Sequence, residues 1–235
     1  MNRVALITGV GPGLGAALAR RFAREGFRVG LVARKPDFIV PLAEEISAAG
    51  PRALGVVADV GRPAEAVAAA NQVRASLGPV GVLIHNASSS LGEGLLATTP
   101  EEFERCWRVA ALGGFVYARE AARDMLDAGA GAMLFTGATS SVRGGDWLGF
   151  SSAKFAVRGL VQSLARELWP RGVHVAHVVI DGLISAPSAA EEPSSDEPTL
   201  DPGHIADAYW HLVTQDRSAW TLEIDLRPHD EQFYV

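Results

Sequence analysis

The residues able to do chemistry fall into three groups. The first is Thr8-Gly9-Val10-Gly11-Pro12-Gly13-Leu14-Gly15, a glycine-rich turn between an apolar run and a helical one. Glycines let backbone approach a ligand closely, and a following helix offers free N–H groups at its positive end. That chemistry suits a nucleotide pyrophosphate, expected here on Thr8, Gly9, Gly11, Pro12, Gly13, Leu14 and Gly15; the bland alternative is an ordinary glycine turn. The second group is Arg34-Lys35, directly after Val32-Ala33. A guanidinium matches a phosphate by charge and fork geometry, whereas a solvated basic strand end would need no ligand. The third is a set of isolated polar side chains. His85 titrates near neutral pH and could give up a proton, or it is an imidazole bonded to backbone. Asp146, Trp147, Ser151 and Ser152 are expected to border the same cleft, Asp146 as a turn residue and Trp147 as a wall. His174 and His177, three apart on a strand, face opposite ways and form no metal pair. Cys106 is read as a small buried hydrophobe, and no metal ligand set is expected.

Alternating elements must position these groups. Apolar runs at Arg3–Thr8, Arg28–Arg34, Arg52–Asp59, Val80–Asn86, Ala132–Thr136 and Val173–Ile180 predict six strands, and Trp220–Leu226 a last one. Strands apolar throughout, rather than alternating, are buried on both faces. Between them lie helical patterns: Leu14, Leu18 and Phe22 with Gly26 as a stop, an alanine-rich stretch to Gly50, and Ala64–Leu77. A long helix enters at Thr99-Pro100-Glu101-Glu102, and an amphipathic one carries Val157, Leu160, Val161, Leu164, Ala165 and Leu168 on one face. The pattern predicts one α/β domain over residues 1–235, a Rossmann-type doubly wound parallel sheet of six to seven strands with helices on both faces.

The turn, spaced T-G-x-x-x-G-x-G, resembles that of the short-chain dehydrogenase/reductase family, and the resemblance runs along nearly the whole chain. Asp59-Val60 is similar to the family's D-V after the third strand, which implies a contact with adenine. His85-Asn86-Ala87-Ser88 is similar to N-N-A-G, with the first Asn and the Gly replaced. Asp181-Gly182-Leu183-Ile184-Ser185 stands where the family has P-G-x-x-T, and implies nicotinamide contacts from Asp181, Gly182 and Ile184. NAD-preferring members carry an acid where Ala33 stands, so Ala33 with Arg34 and Lys35 implies NADP(H) in preference to NAD(H). The family's catalytic tetrad is Asn, Ser, Tyr and Lys. Phe150-Ser151-Ser152-Ala153-Lys154 keeps the lysine, which would also hold the ribose, but has Phe150 at the Tyr position. Thirteen residues earlier the Ser position is Gly137, with Thr139 and Ser140 the nearest hydroxyls. The Asn position is Ala110. The resemblance is therefore to an atypical branch in which Lys154 alone is retained, with Thr139, Ser140 or His85 as possible substitutes.

Composition sets the outer bounds. The 235 residues are 48% apolar, with 21 basic and 27 acidic residues and a net charge of −6, which argues against a general nucleic-acid binder. One cysteine excludes an intrachain disulfide and fits a reducing, cytoplasmic setting. No apolar run reaches the length of a membrane span, and a first strand at Arg3 is expected to leave no room for a signal peptide. From Ala186 to Asp216 the chain has acids but no Lys or Arg, and its Pro/Ser-rich first half predicts a flexible substrate lid at about 186–203, where the family keeps its own. Three functional readings follow: an NADP(H)-dependent oxidoreductase of unknown small-molecule substrate with a non-standard proton donor, a nucleotide binder without turnover, or an assembly subunit. The resemblance implies a homodimer or homotetramer.

Overall fold

The computed structural model describes residues 1–92, 94–185 and 198–230. The chain runs β1 Val4–Thr8, α1 Leu14–Arg24, β2 Arg28–Ala33, α2 Pro36–Ala48, β3 Ala53–Val57, α3 Pro63–Leu77 and β4 Val82–His85. It continues with α4 Pro100–Trp107, α5 Gly113–Asp127, β5 Gly131–Thr136, α6 Leu148–Leu168, β6 Val173–Ile180 and the short strands β7 Leu183–Ile184 and β8 Thr199–Leu200. α7 Pro202–Thr214 and β9 Glu223–Leu226 complete it. Seven strands pair in parallel in the order β3-β2-β1-β4-β5-β6-β9, and β7 pairs with β8 apart from them. This is the doubly wound Rossmann-type domain that the strand–helix alternation predicts.

The central strands are apolar on both faces because helices cover both. Val4 to Thr8 are all buried, as are all eight residues of β6. One core lies between the sheet and α3, α5 and α6; the other lies under α1, α2 and α7. Local signals set the helix ends. Gly26, at φ +80°, lets the chain leave α1 with Phe27 N–H bonded back to the Phe22 carbonyl at 3.1 Å. Thr99 and Glu102 form a reciprocal capping box at the start of α4, with Pro100 in its first turn.

One expectation changes. The long helix entered at Thr99 is interrupted: Arg108–Leu112 forms a π-helical turn between α4 and α5. There the backbone comes close to its neighbours, since a Cβ on Gly113 would stand 2.8 Å from the Val60 carbonyl oxygen. Residues 186–197 of the expected lid lie outside the described residues. Thr199–Leu200 pairs with Leu183–Ile184, and the Asp201 side chain caps α7 by accepting from Gly203 N–H and His204 N–H.

Candidate functional site

Each of the turn's glycines has a separate reason to be glycine. Gly9 has φ +71°, and a Cβ there would lie 2.5 Å from Ala87 Cα, so the turn is pressed onto the exit of β4. At Gly15 a Cβ would meet Val10 Cα at 2.7 Å, which sets how closely α1 approaches the turn. Gly11 and Gly13 have open space where a side chain would be. No side chain caps the α1 N-terminus and no acid lies in its first turn, so its N–H groups and partial positive charge remain for an anion. Asn86 fixes the turn from below: Nδ2 donates to the Gly9 carbonyl at 3.0 Å, while Oδ1 accepts from Thr136 Oγ1 at 3.0 Å. Thr8 and Leu14 are buried under the turn, and Pro12 is exposed at its tip.

A cavity of about 450 Å³ opens from this turn toward the end of β2. Of the expected binding residues it is lined by Gly9, Gly11, Arg34, Lys35, Asp59, Val60, Asn86 and Ala87. Asp59 accepts from Gly61 N–H through Oδ1 at 2.9 Å, and its Oδ2 lies 3.9 Å from Arg105 on α4. The sequence reading missed Phe38, Ser88, Ser89, Arg105 and Val109 in this wall. Phe38 and Arg105 come from helices whose faces no local spacing ties to the turn. Ser88 was quoted as part of the β4 exit without being assigned a contact.

Ala110, Gly137, Phe150 and Lys154, the residues expected at the tetrad positions, are not among those that line this cavity. Lys154, one turn after Phe150 on α6, is 3% exposed and donates from Nζ to the Thr136 carbonyl at 2.8 Å. Its Nζ lies 5.3 Å from the centre of the Phe150 ring, and burial lowers its pKa to about 8. Ala110 is buried in the π-helical turn, and its carbonyl accepts from His85 Nε2 at 3.0 Å. His85 Nδ1 then accepts from the Thr8 hydroxyl at 2.9 Å. Burial, then the charge of Lys154, pushes the His85 pKa down to about 4, so the ring is neutral with both nitrogens occupied inside the protein. This is the backbone-bonded imidazole of the two alternatives; no nitrogen faces a substrate.

Gly137 follows β5, and a Cβ there would stand 2.4 Å from His177 Nε2. Thr139 donates its hydroxyl to Asp181, which also pairs with Arg227 Nη1 at 3.1 Å, so the Asp181 carboxylate is held from two sides. Ser140 is half-buried in the same short turn, and Ser141 Oγ accepts from Ala138 N–H at 3.1 Å. Gly182 packs toward Leu200 and Pro228, and Ile184 lies in β7. Asp146 and Trp147 are exposed, and Ser151 Oγ accepts from Gly145 N–H at 3.4 Å. His174 and His177 point to opposite faces of β6, the first to the Leu212 and Thr221 carbonyls and the second to Glu223. Cys106 is fully buried, and among the described residues no three His, Cys, Asp or Glu side chains form a metal site.

The family model of short chain dehydrogenases matches residues 3–196. The chain is 30% identical over 235 residues to a 3alpha-hydroxysteroid dehydrogenase of Mediterraneibacter gnavus, covering 95% of this chain and 94% of that protein. Among solved structures it resembles a short-chain dehydrogenase from Rhodopseudomonas palustris, with TM-score 0.83, 38% identity and coverage of 97% and 100%. A metagenomic short-chain oxidoreductase in complex with NADP superposes with TM-score 0.83 at 28% identity, covering 97% of each chain.

Proposed function

The chain belongs to the short-chain dehydrogenase family, and from that premise we propose that it is an oxidoreductase that binds NADP(H) in preference to NAD(H) and acts on a small-molecule carbonyl or alcohol. The carrying observation is the turn itself: Gly9 and Gly11, beside an uncapped α1 N-terminus, line a cavity that Arg34 and Lys35 also line. A dinucleotide fits these residues. The turn would hold its pyrophosphate, Asp59 and Val60 its adenine side, and Arg34 and Lys35 a 2′-phosphate that Ala33 does nothing to repel. Lys154 would hold the nicotinamide ribose, and the β7 end of the cleft, with Asp181, Gly182 and Ile184, the nicotinamide. When bound, the nicotinamide supplies the hydride donor or acceptor.

What this chain adds is orientation and charge. Phe150 has no exchangeable proton at any pH, so it is neither acid nor base. A missing positioned acid costs a factor of ~10²–10⁴ in rate. Proximity of substrate to the nicotinamide remains, and supports turnover at a reduced rate. Four half-exposed aromatic residues, Phe103 and Trp107 on α4, Phe115 on α5 and Phe155 on α6, support a homodimer or homotetramer built on those helices. No helix among the described residues is long and apolar enough to cross a membrane. A cytoplasmic setting is part of the proposal, resting on the lone cysteine.

The test is a fluorescence titration with NADPH and NADH, then a screen of carbonyl compounds for NADPH consumption. Tight NADPH binding with measurable consumption supports the reading. Failure to bind either dinucleotide overturns it, and binding without turnover of any carbonyl or alcohol removes its catalytic half.

A further inference from the structure

Among the described residues, one side chain hydrogen-bonds to the stretch from Gly9 to Gly15: Asn86, whose Nδ2 donates to the Gly9 carbonyl at 3.0 Å. That bond fixes the polarity of the groups behind it. A carbonyl accepts only, so the amide nitrogen of Asn86 faces Gly9 and Oδ1 faces the other way. Oδ1 also accepts only, so the Thr136 hydroxyl, 3.0 Å away, gives it its single proton. The Tyr209 hydroxyl lies 2.7 Å from Thr136 Oγ1 and is therefore the donor of that pair. Three successive bonds thus run from α7, through the end of β5 and the exit of β4, to the turn.

The two ends of this series stand differently toward the cleft. Gly9 and Asn86 line the cavity, whereas Thr136 and Tyr209 are not among its lining residues. Tyr209 is fully buried, in the core under α1, α2 and α7. Burial pushes its phenol pKa up, so it keeps its proton and stays a donor. Thr136 is held at its backbone as well, because its carbonyl accepts from Lys154 Nζ at 2.8 Å. At the other end, a Cβ on Gly9 would stand 2.5 Å from Ala87 Cα, so the turn rests directly on the segment that carries Asn86.

Resting on the dinucleotide reading above, we propose that Thr136, oriented by Tyr209, is a positioning residue of the cofactor site: through Asn86 it fixes where the Gly9 backbone stands under the pyrophosphate. Neither side chain touches the ligand. Removing the Thr136 hydroxyl takes the donor from Asn86 Oδ1, and the carboxamide is then free to turn away from Gly9. Removing the Tyr209 hydroxyl leaves Thr136 bonded to Asn86 but with a less restrained rotor, which is a smaller loss. Arg34 and Lys35 follow β2, and Asp59 and Val60 follow β3, outside this series of bonds. The damage therefore falls on the turn and spares the adenine and 2′-phosphate end.

The experiment compares wild type, Thr136→Val, Thr136→Ser, Tyr209→Phe and the Thr136→Val, Tyr209→Phe double variant, measuring thermal unfolding and affinity for two ligands. One is NADPH; the other is adenosine 2′-monophosphate, which has the adenine and the 2′-phosphate but no pyrophosphate. Thr136→Val should weaken NADPH binding about tenfold, with adenosine 2′-monophosphate within about twofold of wild type. Thr136→Ser keeps the hydroxyl and should bind NADPH within about twofold of wild type. Tyr209→Phe should weaken NADPH about threefold, and should add nothing to Thr136→Val, because the phenol then has no hydroxyl to act through. A merely structural pair would lower thermal stability without separating the two ligands. Unchanged NADPH affinity in Thr136→Val, equal losses for both ligands, or independent losses in the double variant overturns the proposal. If Thr136→Val does not fold, Tyr209→Phe decides by the same comparison of ligands. A wild type that binds no NADPH removes the dinucleotide reading first, and this proposal with it.

Discussion

The Lys154 ammonium lies 5.3 Å from the centre of the Phe150 ring, on the same face of α6 and one turn away. A cation over an aromatic face is weakly attractive, by about 0.5–2 kcal/mol depending on desolvation. The lysine is thereby held where it would depress the pKa of a phenol, next to a ring that has none.

Replacing Phe150 by Tyr adds the hydroxyl without changing the ring that packs there. Carbonyl reduction at neutral pH should rise at least tenfold, toward the 10²–10⁴ that a positioned acid contributes. Initial rates of NADPH consumption measure it. No gain in a folded, NADPH-binding variant would mean that the Phe150 ring does not stand beside the reacting oxygen.

Lys154 also makes stability depend on pH. Its pKa falls from 10.5 unfolded to about 8 folded, so between these values the unfolded chain holds the extra proton and stability rises with pH. The burial cost is present in full below pH 8. Relative to Lys154→Met, wild type should gain about 2 kcal/mol between pH 7 and 9.5, read from urea unfolding at each pH. A constant difference between the two would show that the ammonium is not desolvated.

The fold was legible because each of its signals is local. Strands such as Val4–Thr8 and Val173–Ile180 are apolar at most positions on both faces, and every position is buried, the pattern of a sheet covered on both sides. Thr99-Pro100-Glu101-Glu102 and Gly26 mark helix ends by their own bonding. The glycine turn was legible for the same reason. The π-helical turn at Arg108–Leu112 was not, and the bond that ties it to the sheet, from His85 to the Ala110 carbonyl, joins residues 25 apart in sequence. The surroundings of His177 were equally hidden: Glu223 reaches it from another element, held in turn by Arg158, and the packing of its ring against Gly137 shows only in three dimensions.

Cofactor choice rests on the end of β2. Arg34→Ala removes the guanidinium facing the cavity and should weaken NADPH binding about tenfold, near 1.4 kcal/mol, while NADH affinity stays within twofold. Ala33→Asp should go further and invert the preference, because a carboxylate repels a 2′-phosphate and accepts from ribose hydroxyls. Titrations of both variants with both dinucleotides decide it. Equal losses for NADPH and NADH in Arg34→Ala would place the guanidinium on the pyrophosphate or in solvent.

His85 should act on stability rather than on the chemistry. Its pKa drops from 6.5 unfolded to about 4 folded, so below pH 6.5 the unfolded chain takes up a proton that the buried ring refuses. Wild type should therefore lose about 3 kcal/mol of unfolding free energy as pH falls from 7 to 4 on this account alone. His85→Asn, which does not titrate, should flatten that acid limb even if it is less stable at pH 7 for losing the bonds to Thr8 and Ala110. The pH profile of turnover should be the same in both proteins, since the ring has no nitrogen to offer a substrate. An altered activity profile with an unaltered acid limb would reverse the assignment and make His85 a member of the site.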